Sequence, residues 1–298
     1  MMNKKASFIF VYLFCLLPFL FSCSEISENE RLIEVEPAIT PQPDEPDSED
    51  TTAIDSLYEA PVKSVARRIL IEDHTGQKCP NCPDATDIIH QLSDLYGNLI
   101  VPVAIHSKDQ GIMEPEGLGN ELGNTYFTHW NINSKPAGLI SRMDGGLGVV
   151  MDKTIWAGAA QYILTLPTPL DIRVKARQQN DDPTQAAVDV KVICADSAGT
   201  AVNGKLQVWL TEDSIVAEQD FPGGQHQADY VHNHVLRAAV NGTWGEDVSV
   251  AGFANAKEFH YSAPLSTAWK PRNLSVVAFV YNDEQVVQVT RRKLMIEE

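Results

Sequence analysis

The sequence predicts an α/β domain followed by an all-β sandwich, and three observations carry that prediction. Apolar runs separated by a helix-period segment fill the stretch from Val62 to about Pro167. Short segments of alternating polarity, parted by turn residues, continue from there to the C-terminus. A Pro-rich acidic stretch precedes both and marks them off from the N-terminus.

In chain order, the basic start "MMNKK" and the apolar run "ASFIFVYLFCLLPFLF" have the layout of an export signal, which assigns residues 1–22 to processing. Leu20, Phe21, Ser22 and Cys23 then resemble the lipobox of bacterial lipoproteins. The resemblance implies that Cys23 is acylated and becomes the mature N-terminus, so that the membrane is a partner through this lipid. The competing reading is a plain secretory signal with a chance cysteine. Ser24, where an Asp retains such proteins at the inner membrane, implies outer-membrane residence, and the acidic "SEISENE" resembles signals that send lipoproteins to the cell surface.

Residues 23–60 are expected to form a tether. Residues 24–60 hold twelve acidic side chains against Arg31 alone, among Pro, Ser and Thr. Within it "RLIEVEP" alternates and is expected to form one short docked strand. The formal charge of −17, with no Lys/Arg cluster, excludes a nucleic-acid partner, because phosphate backbones are bound by counterion-releasing basic patches.

From residue 61 to 166 the α/β pattern runs. "RRILIEDH" reads as a buried strand; Ala85, Ile88, Ile89, Leu92 and Leu95 recur at helical spacing; "NLIVPVAIHS" is a second strand, parallel to the first through a right-handed crossover. A Gly-rich loop, a short helix around Thr125–Trp130, the proline turn and strand of "NINSKPAGLISR", and the helical "MDKTIWAGAAQYILT" complete it. From 167 to 298, "LDIRVKARQ", "AAVDVKVICA", "KLQVWLTED", "KEFHYSAP", "NLSVVAFVYN" and "QVVQVTRRKL" have the pattern of an antiparallel, immunoglobulin-like sandwich.

The chemistry is concentrated in "HTGQKCPNCP". Of five cysteines, Cys15 leaves with the signal and Cys23 carries lipid, so the folded body keeps Cys79, Cys82 and the distant Cys194, read as a small buried hydrophobe. Structural zinc needs a second ligand pair, and His74, His90 and His106 are single. A bond closing so short a loop stabilises little. Electron exchange is the remaining reading, with no metal or cofactor required. A cysteine at the mouth of a helix has its thiolate favoured by unpaired N–H groups and the macrodipole. Pro80 suits the first helical position, whereas Pro83 makes the first turn irregular.

"ILIEDHTGQKCPNCPDA", "VPVAIHS" and "SKPAGLISR" together resemble a thioredoxin-like domain. With "ERLIEVEP", "NHVLRAAVNGTWGE" and the lipobox, nearly the whole mature chain resembles the outer membrane protein 28 family of Bacteroidetes lipoproteins. The resemblance implies that Cys79 is the nucleophile, that Cys82 is the resolving thiol, and that Pro136 is a cis-proline whose neighbour Lys135 pairs with a substrate strand. It also implies that Asp73, six residues before Cys79, accepts the resolving proton. Glu72 is adjacent, and an acid hydrogen-bonded to nearby backbone is the alternative. Lys78 stands where thioredoxins carry an aromatic residue. With Lys135 and His74 it is expected to make an electropositive rim that depresses the Cys79 pKa, the alternative being two lysines pointing to solvent.

His226, His232 and His234 in "QHQADYVHNHV" could place two rings on one strand face, but no carboxylate spacing accompanies them, and no metal is expected. Three functions stay open: a tethered thiol-disulfide oxidoreductase acting on protein thiols or disulfides, a binding lipoprotein whose sandwich engages a surface glycan or protein, and a structural envelope component.

Overall fold

A β-strand that buries both faces needs a covering layer on each, and this requirement organises the molecule. The structure is a computed structural model and describes residues 51–62, 65–144, 146 and 148–296. The signal, Cys23 and the strand expected at "RLIEVEP" lie outside the described residues. The elements are α1 (Thr51–Glu59), β1 (Ile69–Thr75), α2 (Cys82–Tyr96), β2 (Ile100–His106), α3 (Glu121–His129), β3 (Ala137–Ile140) and α4 (Trp156–Leu164), then β4 (Leu170–Gln178), β5 (Gln185–Cys194) and β6 (Val202–Glu212). They continue with β7 (Ile215–Phe221), β8 (Gln225–His232), β9 (Val235–Ala239), β10 (Glu246–Val250), β11 (Ala256–Pro264), β12 (Leu274–Asn282) and β13 (Gln285–Lys293). It is thus a mixed α/β architecture with helices in its N-terminal part and a sheet-rich C-terminal part.

β1 pairs in parallel with β2 across α2, and antiparallel with β3. The period of two sends Ile69 and Ile71 into a core with Ala85, Ile89 and Leu92 of α2 and Trp156, Ala160 and Ile163 of α4. Gly138 is what lets Trp156 lie flat on β3, since a Cβ there would meet Trp156 Cε2 at 2.3 Å. Gly138→Ala is expected to cost about 1–3 kcal/mol through overpacking, read as a lowered denaturation midpoint with unchanged slope.

The six segments of alternating polarity beyond Pro167 all form strands. β11, β5 and β4 make one three-stranded sheet, which packs on β6, β12 and β13 around Val174, Val188, Val190, Val208, Leu210 and Val276. The other face of β6 and β12 carries Trp209, Val277, Phe279 and Tyr281 into a core shared with Leu70, Val103, Tyr126, Trp130 and Leu139. The sheet therefore runs on across residues 166 and 167 in the order β13-β12-β6-β9-β2-β1-β3, with β10 also on β6. The apolar back of β6 and β12 would otherwise face water. Trp209 Nε1 donates to Tyr126 Oη at 3.0 Å, and Tyr126 Oη to the Thr243 carbonyl at 2.6 Å, so the polar ends of these two rings are satisfied inside the core.

Two sequence expectations need correction. The end of the expected tether is helical: α1 buries Ile54 and Tyr58, one turn apart, against the three-stranded sheet. Its acids meet lysines there, with Asp55 paired to Lys175 and Glu59 to Lys191 Nζ at 3.0 Å. In addition β7, β8, β9 and β10 were not anticipated. β8 is exposed along most of its length and has no apolar alternation for a period argument to detect.

Candidate functional site

The two cysteines sit at the junction of β1 and α2. Cys79 closes a turn after β1, its N–H donating to the Gly76 carbonyl at 3.0 Å, and Cys82 opens α2. They form a disulfide of χ3 85° with the Cα atoms 5.4 Å apart. Asn81 stands at the N-cap position without a side-chain capping hydrogen bond, and Pro83 falls within the first turn, where a missing N–H costs nothing. Pro80, expected at the first helical position, instead lies in the turn before it. Both cysteines are only 1% exposed.

The alternation of β1 decides between the two adjacent acids. Glu72 points to the face opposite α2, where Arg142 Nε and Nη2 donate to its two carboxylate oxygens at 2.7 and 2.8 Å. Asp73 points to the α2 face and shares a cavity of about 30 Å³ with Cys82, Thr86, His106, Tyr230 and His232, room for about one water. Asp73 Oδ1 is buried with no hydrogen-bond partner among the described residues, which excludes the alternative of an acid tied to backbone through that oxygen. Burial pushes its carboxyl up to about 7, against the opposing pull of Lys135.

The Lys135–Pro136 peptide is cis. Lys135 is buried rather than pointing to solvent: its Nζ donates to Ser107 Oγ at 2.8 Å and to the Asp109 carbonyl at 2.5 Å, and burial brings its pKa down to about 8. Lys78 is exposed and paired, with Nζ 2.7 Å from Glu218 and 3.9 Å from Asp220. His74 is fully buried and burial lowers it to about 3, so it is neutral. The expected electropositive rim therefore does not form. One charge is matched by two carboxylates, one is turned toward Ser107 and Asp109, and the third is absent.

The histidines of the H-x-H stretch do not share a strand face. His232 ends β8, buried with its ring 5.5 Å from that of His106, and burial lowers it to about 4. His234 lies beyond the strand with φ 58° and pairs with Asp213 at 2.8 Å. No group of three His, Cys, Asp or Glu among the described residues is arranged to hold a metal ion. Cys194 is free and buried.

Two contributors were not visible in the sequence. Gln77, 1% exposed, accepts from the Leu118 N–H at 2.9 Å through Oε1 and donates to the Glu218 carbonyl at 3.3 Å, tying the motif to the loop before α3 and to β7. Gln219 on β7 donates to the Cys79 carbonyl at 3.0 Å. Neither residue type signals a site by itself.

A second concavity, of about 650 Å³, lies at the other side of the shared core, lined by Trp130, Trp244 and Tyr281 with Lys205, Asp247 and Glu284. This falls in the usual size range of ligand pockets.

Fold and site together define a mixed α/β protein with a buried C-x-x-C disulfide at a helix mouth, joined to a β-rich C-terminal part. The chain belongs to the outer membrane protein Omp28 family, whose model matches residues 123–298, and the outer membrane is accordingly its location. The matched stretch contains every residue of the larger concavity and begins after Cys82. Among solved structures, HBP35 of Porphyromonas gingivalis is similar at 13% identity over 78% of this chain and 76% of that one, with a TM-score of 0.59, which is a likeness of fold alone. A domain of the outer membrane lipoprotein Omp28 from Porphyromonas gingivalis is 28% identical over 44% of this chain and 92% of its own, with a TM-score of 0.33. A protein from Agrobacterium tumefaciens is 14% identical over 77% and 95% of the two chains, with a TM-score of 0.46. No curated protein matches the chain. No described helix is long and apolar enough to cross a membrane.

Proposed function

We propose that the protein is held at the outer membrane by lipid on Cys23, that residues 61–166 are a thioredoxin-like domain and 167–298 an immunoglobulin-like sandwich, and that Cys79 and Cys82 exchange electrons with protein thiols. The observation that carries this reading is the pairing of a disulfide at the start of α2 with a buried acid, Asp73, that lines the same small cavity as Cys82. In the reductive direction an incoming thiolate attacks Cys79 Sγ, the S–S bond breaks, and Cys82 leaves as a thiolate that takes the proton held by Asp73. A second thiol of the reductant then attacks its own sulfur in the mixed disulfide and releases Cys79. The donor ends as a disulfide and the protein as a dithiol. The reverse sequence oxidises a substrate dithiol.

The test is the reduction potential of the purified chain in glutathione buffers, with thiol trapping and mass readout. A reversible two-electron couple confined to Cys79 and Cys82, abolished by Cys79→Ser, is the expected result. The absence of any reversible couple would overturn the reading. In that case the aromatic concavity of Trp130, Trp244 and Tyr281 favours the second reading, a binding lipoprotein whose sandwich takes a glycan or protein. Ligand capture would then survive the double substitution Cys79→Ser and Cys82→Ser.

A further inference from the structure

The C-x-x-C motif is exposed in neither sulfur, and what covers it comes from far along the chain. β7 and β8 form a two-stranded hairpin that pairs with no third strand among the described residues. Its root is narrow. Ser214 and His234 take φ values of 57° and 58°, Asn233 Oδ1 accepts from the Ser214 N–H at 2.9 Å, and Asp213 Oδ1 accepts from the His234 N–H at 2.7 Å. The arm therefore leaves the sheet sharply at two adjacent left-handed positions, the kind of few-residue hinge that absorbs a swing.

The arm lies along the motif like a bound strand. The Asp220 N–H donates to the Gln77 carbonyl at 2.8 Å, Gln219 Nε2 to the Cys79 carbonyl at 3.0 Å, and Glu218 pairs with Lys78 at 2.7 Å. In a regular strand Glu218 and Gln219 would point to opposite faces. A register shift between Ala217 and Gln219 breaks that alternation and lets both reach the motif, as bulges re-aim side chains. From β8, Tyr230, Val231 and His232 close the side of Cys82. An unaccompanied two-stranded hairpin is weakly stable, and this one also carries Val216 and Val231 at 61% and 49% exposure.

We propose that the β7–β8 hairpin is an intramolecular cap on the Cys79–Cys82 pair, and that its 218–220 segment, lying on the 77–79 backbone, blocks the approach of a protein-sized thiol, so that exchange with protein thiols requires the arm to swing out. This rests on the thiol-exchange reading and adds its gate. A thiol the size of dithiothreitol needs only a small local opening, whereas a protein needs the whole arm displaced.

The experiment compares the full chain with Glu218→Gln/Gln219→Ala, which removes the ion pair and the side-chain hydrogen bond but leaves the strands. Disulfide reduction is timed with a reduced dithiol protein of the thioredoxin class and, separately, with dithiothreitol. The variant is expected to react about tenfold faster with the protein reductant and no more than about twofold faster with dithiothreitol, since the lost contacts shift only the opening equilibrium. Equal rates with the protein reductant overturn the cap. A pair that dithiothreitol reduces in neither chain overturns the exchange reading, and the cap with it. Amide exchange on the unsubstituted chain gives a readout independent of the variant's folding. Asp220 and β8 amides opening well before those of β6 and β12 support the gate; exchange of all of them only through global unfolding excludes it.

Discussion

Arg142→Ala is expected to destabilise the protein by about 3–5 kcal/mol, because it leaves Glu72, 0% exposed, as an uncompensated buried charge. The guanidinium is held by both Glu72 oxygens and lies 5.0 Å from the ring centroids of Phe279 and Tyr281 and 5.2 Å from that of Trp130. One side chain thus links β1, the turn after β3, and the aromatic back of β12, and it does so where the sheet passes from the first part of the chain to the second. The loss is read from denaturant midpoints. The double substitution Glu72→Gln/Arg142→Met removes both charges and is expected to recover most of the stability, since replacing a buried pair by uncharged groups of similar volume is often near neutral. A double variant as unstable as Arg142→Ala would show that the ring contacts, not the stranded charge, carry the energy.

Asp73→Asn is expected to stabilise the protein at pH 8 by about 2–4 kcal/mol, while slowing disulfide reduction at least about tenfold. The carboxyl is raised in the folded state to about 7, so the unfolded chain ionises it first. Its burden is therefore absent below about pH 4, grows between pH 4 and 7 as pH rises, and is complete above 7. The stabilisation by Asn should follow that window and vanish in acid. The buried histidines act with the opposite sign. His74 is lowered to about 3 and His232 to about 4, and His106 is lowered as well, each chiefly by burial. Their contribution is present above about pH 6.5 and is lost as pH falls toward those values, because the unfolded chain takes up protons that the folded one refuses. Three imidazoles outweigh one carboxyl, so the unsubstituted chain is expected to lose stability on acidification from pH 6.5, and Asp73→Asn to lose it more steeply. Urea midpoints at intervals from pH 4.5 to 8 measure both. A midpoint difference between the two chains that stays constant across this range would rule out a raised Asp73.

A site built by a strand, a turn and the helix after it is written in consecutive residues, and this explains what could be read early. The period of two in "RRILIEDH", the helical spacing from Ala85 to Leu92, and the six alternating segments beyond Pro167 all express a local rule, in which each residue faces a core or does not. β1, α2, β2 and six of the later strands follow from it, as does the position of Cys79 and Cys82 at a helix mouth. Asp73 and Glu72 mark the limit of this kind of reading: spacing named the pair, and only the direction of the alternation relative to α2 separated the acid beside Cys82 from the partner of Arg142.

What lay beyond the local pattern came from residues distant in the chain. The electropositive rim failed because Glu218 and Asp220, some 140 positions after Lys78, neutralise it. The helix in the acidic stretch formed because Lys175 and Lys191 of the later sheet meet its carboxylates and that sheet receives Ile54 and Tyr58. The hairpin that lies on the cysteine motif has no periodicity of its own, since its strands hide neither face in a core, and its place is set by hydrogen bonds to Gln77 and Cys79. Burial and charge pairing depend on which segments meet in space, and that information is absent from a single stretch of residues, whereas the chemistry of a thiol pair beside a helix is present in four.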